Sequence, residues 1–204
     1  MKLLHINSSI LGAASASRRL SAAVVAQWRL QHPDGEVVTR DLAAAPLAHL
    51  GGEIMAMRGM DPSEPSPEVR HALAIAAEVM EEFLSADVVV VGAPMYNFGI
   101  PSQLKAWIDR LAVPGKTFTY TEQGPRGLAG GKTVIVASSR GGYYGDGTPL
   151  AAIDFQEKYL SAVFGFFGIT DIRFLRAEGV NISPENRRQA IEAAERDAPQ
   201  LVVA

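Results

Sequence analysis

The stretch Val88–Arg110, VVVVGAPMYNFGIPSQLKAWIDR, contains the strongest structural signal of the chain. It begins with an unbroken apolar run, continues through a loop of methionine, tyrosine, asparagine, phenylalanine and glycine, and ends in the pattern of an amphipathic helix. The apolar run is typical of a parallel strand that is covered on both faces of its sheet. The aromatic and sulfur side chains of the loop can pack on a flat ligand, and the helix N-terminus behind them favours an anionic one.

Strand and helix patterns alternate along the rest of the chain, which indicates an α/β protein with a parallel sheet and right-handed crossovers. We therefore expect one domain, residues 1–204, with the flavodoxin-like strand order 2-1-3-4-5 and helices on both faces of the sheet, a three-layer sandwich. The predicted strands are Lys2–Asn7, Glu36–Asp41, Asp87–Ala93, Lys132–Ser138 and Asp171–Glu178, and the predicted helices are Arg18–Gln31, Glu68–Ser85, Ser102–Leu111, Asp154–Phe167 and Pro184–Leu201.

Three segments do not belong to the predicted five-stranded sheet. Leu42–Pro67 is rich in proline and glycine and is expected to be irregular. Lys116–Tyr120 has strand character, whereas Gly124–Gly127, with the sequence GPRG, is predicted to be a turn.

The composition is that of an ordinary globular enzyme, with 48% hydrophobic and 20% charged residues. The formal net charge of −3 does not suggest affinity for nucleic acid or for an anionic membrane, and no apolar run approaches the roughly 20 residues of a membrane span. The apolar run in the start of the chain, MKLLHINSS, is too short for a signal peptide. The absence of cysteine excludes disulfides and thiolate chemistry and fits a cytoplasmic protein. The histidines lack metal-ligand spacing, so no metal is expected.

The loop after the first predicted strand, NSSILGAASASRR, places Ser9, Ser15 and Ser17 around the start of the first helix. Backbone N–H groups at a helix N-terminus, together with hydroxyl groups, can hold a phosphate. Neither G-x-G-x-x-G nor G-x-x-x-x-G-K-[ST] is present, which argues against a dinucleotide fingerprint and an ATP-type loop. Taken alone, a serine at this place is more often only an N-cap.

Two further loops follow the third and fourth predicted strands. Pro94–Pro101 is either an ordinary hydrophobic turn or one wall of a ligand site, and apolar bulk at a loop tip is costly unless something covers it. Ser139–Gly147 has paired glycines, which either allow close approach to a ligand edge or only make a flexible turn. Sheets of this order bind ligands beyond the carboxyl ends of the strands, at the switch point between the first and third strands. The three loops together therefore predict a ligand site there.

Several ordered blocks closely resemble the FMN-dependent NADH-azoreductase and NAD(P)H:quinone oxidoreductase family. They are SSILGAASAS, APMYNFGIPSQLKAWIDR, TFTYTEQGPRGLAGGK, SSRGG, and FGFFGITDIRF followed by AEG, and together the resemblance covers nearly the whole chain. It implies a flavodoxin-like fold, one bound FMN per subunit, and a homodimer with active sites at the subunit interface.

The resemblance also implies roles for particular residues. Position 16 is alanine where some members carry a longer polar side chain, so its contact would be through the backbone, and Tyr144 stands where some members have a histidine near the flavin. The implied cofactor contacts are Ser9, Ser15, Ala16 and Ser17 for the phosphate, Met95, Tyr96, Asn97 and Phe98 for the ring, Ser139, Arg140, Gly141 and Gly142 for its pyrimidine edge, and Pro94 and Tyr144 as further contacts. A substrate pocket would add Tyr120 and Phe164 of a neighbouring subunit. Arg58 and Arg140 are either contacts for a nucleotide phosphate or solvated surface arginines.

The activity implied by the resemblance is a ping-pong, two-electron transfer from NADH or NADPH, through FMN, to quinones and aromatic azo compounds. Because the cofactor carries the chemistry, no catalytic residue is named. Two other functions stay open at this point. One is a flavodoxin-type single-electron carrier, although such carriers are expected to be more acidic than a net charge of −3. The other is a non-catalytic sensor of a nucleotide or phosphate.

Overall fold

The computed structural model describes residues 1–51 and 66–203. Most of the predicted irregular stretch Leu42–Pro67, together with Arg58, lies outside the described residues. The strands are β1 (Lys2–Asn7), β2 (Glu36–Asp41), β3 (Val88–Pro94), β4 (Phe118–Thr121), β5 (Gly124–Gly127), β6 (Thr133–Ser139) and β7 (Asp171–Ala177). The helices are α1 (Ala16–Gln31), α2 (Pro67–Ser85), α3 (Ser102–Leu111), α4 (Gln156–Phe166) and α5 (Pro184–Leu201).

Five strands form one parallel sheet in the order β2-β1-β3-β6-β7. Because β4 and β5 lie outside this sheet, the order is the predicted 2-1-3-4-5 with different numbering. The central strand β3 pairs with β1 on one side and with β6 on the other, so that Val90 faces His5 and Ile135. The chain order reverses between β1 and β3, which places the switch point where it was predicted.

Two hydrophobic clusters cover the two faces of the sheet. Successive side chains of a strand point to opposite faces, and accordingly Leu3 of β1 belongs to one cluster while Leu4 belongs to the other. The first cluster contains Trp28 of α1 and residues of α5. The second contains Trp107 of α3 and residues of α2 and α4. Burial on both faces explains why β3 is apolar along its length.

The predicted turn Gly124–Gly127 is wrong, because these residues form β5, which pairs antiparallel with β4. Proline is tolerated there because both strands of a two-stranded ribbon are edge strands. Glycine is needed because the backbones touch: a Cβ on Gly127 would lie 2.1 Å from the backbone N of Gly168. Of the residues that suggested a turn, Gly127 therefore reflects a close tertiary contact.

The remaining differences concern element boundaries. Helix α1 begins at Ala16, two residues earlier than predicted, because Ser15 caps it and accepts a hydrogen bond from the N–H of Arg18. Helix α4 begins at Gln156, two residues later than predicted. Asp154 lies at the end of the preceding loop, and its carboxylate accepts a hydrogen bond of 3.1 Å from the N–H group of Gln156. Within the described residues, no helix has both the length and the apolar character required to cross a membrane.

Candidate functional site

Four loops meet at the carboxyl edge of the sheet and enclose a cleft of about 60 Å³. Three of them are the loops that the sequence predicted, after β1, β3 and β6, and the fourth follows β7. The residues that line the cleft are Ser9, Leu11, Ser15, Ala16, Pro94, Met95, Tyr96, Ser139, Gly141, Val180, Asn181 and Arg187. The predicted site is thus one place in the structure rather than three separate loops.

The α1 end of the cleft is built from buried hydroxyl groups and free backbone donors. The Oγ atoms of Ser15 and Ser17 lie 3.1 Å apart. Ser15 is the N-cap of the helix, which is the alternative role that the sequence offered for a serine at this place. The N–H groups of Ala16 and Ser17 belong to the first turn, where no intrahelical acceptor exists. The helix dipole adds partial positive charge at the same point. This end of the cleft can therefore hold an anionic group with neutral donors.

Arg18 holds the β1 loop in place through hydrogen bonds. Its guanidinium donates to both carboxylate oxygens of Asp41, at 2.6 and 2.7 Å, and to the carbonyl oxygen of Ser9 at 3.0 Å. The guanidinium hydrogen bonds hold the pKa of Asp41 below its usual range. Because Asp41 neutralises Arg18, the arginine fixes the position of Ser9 rather than supplying a free cation. A larger hollow of about 620 Å³ lies around this pair and shares Ser9 and Ser15 with the cleft.

The β3 loop is a tight turn in a conformation that glycine or asparagine normally occupies. Tyr96 and Gly99 exchange two backbone hydrogen bonds of 3.0 Å, while Asn97 and Phe98 have φ angles of 48° and 68°. These are the angles of a type I′ turn, which is unfavourable for a bulky residue. Phe98 nevertheless leaves 43% of its surface exposed. A strained and exposed aromatic side chain is typical of a functional surface.

A tyrosine hydroxyl joins the β3 loop to the β1 loop. The hydroxyl of Tyr96 lies 3.2 Å from the Oγ of Ser9 and accepts the N–H of Ile10 at 3.3 Å. Side-chain hydrogen bonds of Tyr96 therefore connect the two loops that flank the switch point.

The backbone carbonyl groups of three β6-loop residues are paired with the loop after β7. The carbonyl oxygens of Arg140, Gly141 and Gly142 accept the N–H groups of the β7 loop, from Val180 at 3.0 Å, Asn181 at 3.2 Å and Gly179 at 2.9 Å respectively. Across the part of the chain that the structure describes, the N–H groups of Gly141 and Gly142 donate to no protein acceptor. The pyrimidine edge of a flavin carries carbonyl oxygens and a ring nitrogen that accept hydrogen bonds. The donors of this loop fit that edge.

The side chain of Arg140 faces neither the cleft nor solvent. It is 1% exposed, and its guanidinium pairs with Asp154 at 3.0 Å, with Glu178 at 3.2 Å and with Glu157. The predicted contact of Arg140 with a ligand is therefore restricted to its backbone, and both alternatives for its side chain, a phosphate contact and a solvated surface residue, are wrong.

The three remaining aromatic candidates are in different places. The Tyr144 ring centroid lies 6.4 Å from that of Phe98, and Tyr144 lines a separate hollow together with Asp154. Tyr120 is 72% exposed on the β4–β5 hairpin. Phe164 is fully buried in the core, so its predicted place in a substrate pocket is wrong. The run FGFF offered several phenylalanines, and Phe166, on another face of α4, is the partly exposed one.

Sequence reasoning missed the loop after β7. Asn181 and Arg187 line the cleft, and Arg187 donates to the carbonyl oxygen of Ala14 in the β1 loop. The rule that identified the other loops applied here as well, because β7 is also parallel and ends at the same edge of the sheet. Within residues 1–51 and 66–203, no group of three acidic or histidine side chains could hold a metal ion.

Comparison with known proteins agrees with this fold. A family model of flavodoxin-like fold, Flavodoxin_2, matches residues 1–202. The FMN-dependent NADH:quinone oxidoreductase of Rhizobium meliloti is 58% identical over 200 residues, 96% of this chain and 94% of that protein. The FMN-dependent NADH:quinone oxidoreductase 2 of Bradyrhizobium diazoefficiens is 55% identical over 206 residues, with both chains fully covered. The chain belongs to the family of FMN-dependent NADH:quinone oxidoreductases.

Solved structures of similar proteins support the same assignment. The azoreductase from Bacillus anthracis str. Sterne has a TM-score of 0.88 at 33% identity, covering 99% of this chain and 98% of its own. An FMN-dependent NADH-azoreductase from Bacillus anthracis str. Ames Ancestor, solved in complex with FMN, has a TM-score of 0.87 at 25% identity and covers 99% of both chains. The family resemblance of the sequence blocks is thereby confirmed.

Proposed function

We propose that this protein is an FMN-dependent NAD(P)H:quinone oxidoreductase that also cleaves aromatic azo compounds reductively. The observation that carries the proposal is the donor arrangement of the cleft. Free N–H groups stand at the start of α1 and again at Gly141 and Gly142, with a strained aromatic turn between them. This arrangement matches a ligand with an anionic phosphate at one end and a flat, acceptor-rich ring at the other.

The proposed contacts follow from the positions of the loops. Ser9, Ser15, Ala16 and Ser17 hold the FMN phosphate, and the loop from Pro94 to Phe98 packs against the ring. Ser139, Gly141 and Gly142, with the backbone of Arg140, meet the pyrimidine edge, and Tyr144 flanks it. Bound FMN would supply the two-electron chemistry between NADH or NADPH and the acceptor. The protein residues bind the cofactor, orient it and exclude water, and no general acid is assigned.

The size of the cleft implies that one chain does not enclose the ligand. Its volume of about 60 Å³ is well below the ~300–1,000 Å³ of complete ligand pockets, so it accommodates only part of an FMN molecule. The aromatic side chains next to it, Phe98 and Phe155, are exposed. A second copy of the chain would cover them, and we therefore propose a homodimer with active sites at the interface.

The position of Tyr120 supports the same conclusion. Its ring packs on Phe118, which packs on Phe166 at the end of α4. Phe98 instead contacts the start of α4, where its carbonyl oxygen accepts the N–H of Phe155 at 3.1 Å. The two ends of an 11-residue helix are about 16 Å apart. Tyr120 therefore contributes to the substrate pocket only if it comes from the partner subunit.

The proposal includes the class of acceptor and the setting. A pocket walled by a flavin and aromatic side chains selects flat aromatic acceptors by stacking, so several quinones and azo compounds should react. Residues 1–204 are proposed to form a single flavodoxin-like FMN-binding domain of three layers that acts in the cytoplasm, without a nucleic-acid or membrane partner.

Rapid mixing of the FMN-reconstituted protein tests the proposal. NADH or NADPH should remove the yellow flavin absorbance, and a quinone or an azo dye, mixed afterwards, should restore it with two electrons transferred per flavin. Failure to bind FMN would contradict the proposal and favour a sensor. Reoxidation by a one-electron protein acceptor but not by a quinone would instead favour an electron carrier.

A further inference from the structure

The guanidinium of Arg140 stands at the centre of a buried charge network behind the cleft. Its carboxylate partners come from three different parts of the chain: Asp154 precedes α4, Glu157 lies in α4, and Glu178 follows β7. Its Nε donates to the Oγ of Ser138 at 3.2 Å. One side chain thus links the end of β6 to the start of α4 and to the loop after β7.

The network extends to the central strand. The Oγ of Ser138 donates to Oε1 of Gln156 at 2.9 Å, and Nε2 of Gln156 donates to the carbonyl oxygen of Ala93 at 2.9 Å. Ala93 immediately precedes Pro94 and the β3 loop. The same buried chain of hydrogen bonds therefore fixes the starting points of the β3 and β6 loops.

Glu178 connects the network to the glycine-rich part of the β6 loop. Its Oε1 accepts the N–H of Tyr144 at 2.7 Å while it pairs with Arg140. A Cβ on Gly145 would lie 3.2 Å from Oε2 of the same carboxylate. The loop is therefore held from both ends, at Arg140 and at Tyr144, with Gly141 and Gly142 between them.

We propose that Arg140 is a positioning residue for the flavin ring. Its guanidinium holds residues 139–144 in the conformation in which the N–H groups of Gly141 and Gly142 meet the pyrimidine edge, without touching the flavin. The inference rests on the proposed FMN site and adds an interaction that acts through the loop.

The geometry of arginine, rather than its charge alone, is what this role requires. A guanidinium directs five donors in a fixed plane, whereas a lysine ammonium is a point charge on a flexible chain. Arg140→Lys keeps a cation among the carboxylates and so avoids leaving them uncompensated, which is the severe case for a buried network. The loop, however, loses the planar fork that fixes it.

The test compares the affinities of the apoprotein for FMN and for riboflavin, measured by quenching of flavin fluorescence. Riboflavin has the same ring and lacks the phosphate. Arg140→Lys should weaken both ligands by a similar factor, at least about tenfold, because the ring contacts are lost. The control is Arg173→Lys on β7, which disturbs an ion pair with Asp171 at the opposite end of the sheet. It should leave both dissociation constants within about twofold, whatever it does to thermal stability.

Four outcomes separate the inference from its alternatives. Unchanged affinities in Arg140→Lys would make the network purely structural and overturn the inference. Weaker FMN binding with unchanged riboflavin binding would also overturn it, because the effect would then act at the phosphate. If Arg140→Lys does not fold, Glu178→Gln, which keeps an acceptor for the N–H of Tyr144, should show the same parallel loss. A wild-type protein that binds no FMN would refute the proposed function instead.

Discussion

His5 and Ser21 form a buried polar contact between β1 and α1, with Nε2 of the histidine 2.9 Å from Oγ of the serine. The serine Oγ also lies 3.3 Å from Oδ1 of Asn7. Burial, with a smaller effect of the Arg18 charge, lowers the pKa of His5 to about 4. The histidine is therefore neutral in the folded protein at pH 7.

The first prediction concerns acid stability. Between pH 6.5 and about 4, His5 is protonated in the unfolded chain and neutral in the folded one, so the free energy of unfolding falls as pH falls through this window. The full effect is up to about 3 kcal/mol, since one pKa unit corresponds to about 1.4 kcal/mol. His5→Gln should flatten the curve in urea unfolding at pH 7, 5.5 and 4.5. His49→Gln, at an exposed histidine, is the matched control and should retain the wild-type slope.

The second prediction separates capping from phosphate binding. Ser15→Ala and Ser183→Ala each remove an N-cap, of α1 and of α5, and each should cost about 1 kcal/mol of stability. Only Ser15→Ala should also weaken FMN binding, by roughly tenfold, because a charge-assisted hydrogen bond is lost. Titration calorimetry with FMN measures the difference. Equal FMN affinities in the two variants would place the phosphate elsewhere.

The third prediction concerns the strained turn. Phe98→Asn should leave stability unchanged or raise it by up to about 1 kcal/mol, because asparagine tolerates the left-handed conformation better than phenylalanine. It should lower kcat/KM for a quinone several-fold, because an aromatic wall is lost. Phe98→Tyr keeps the aromatic ring and the strain and should retain activity. A fully active Phe98→Asn enzyme would show that the aromatic ring has no role in acceptor binding.

The fourth prediction concerns the hairpin. Gly127→Ala forces the β4–β5 ribbon away from the backbone of Gly168 and should destabilise the protein by about 1–3 kcal/mol. Because Tyr120 lies on this ribbon, quinone kcat/KM should fall while the FMN dissociation constant stays the same. Gly165→Ala in α4, where an added Cβ meets nothing within 4 Å, should have neither effect. Loss of FMN binding in Gly127→Ala would contradict the proposed position of the ribbon at the acceptor.

The sequence was sufficient for the sheet because the central strands β3 and β6 are buried and therefore read as apolar runs, with alternating helix and strand patterns around them. Because the strands of the sheet are parallel, the loops that follow three of them were expected at the same edge of the sheet. Features that depend on distant partners were not accessible in this way. Gly127 resembled a turn residue because its contact, Gly168, is far along the chain, and Phe164 and Phe166 differ only in the face of α4 that they occupy. Arg140 likewise has carboxylate partners on elements that no local pattern connects to it.

A crystal structure of the protein reconstituted with FMN tests the proposed site most directly. The phosphate should lie within hydrogen-bond distance of the N–H groups of Ala16 and Ser17. The pyrimidine edge of the ring should lie against the N–H groups of Gly141 and Gly142, with Phe98 and a partner subunit's hairpin near its open face. An FMN molecule in the hollow beside Arg18 and Asp41, with the Gly141 and Gly142 donors free of it, would contradict the account.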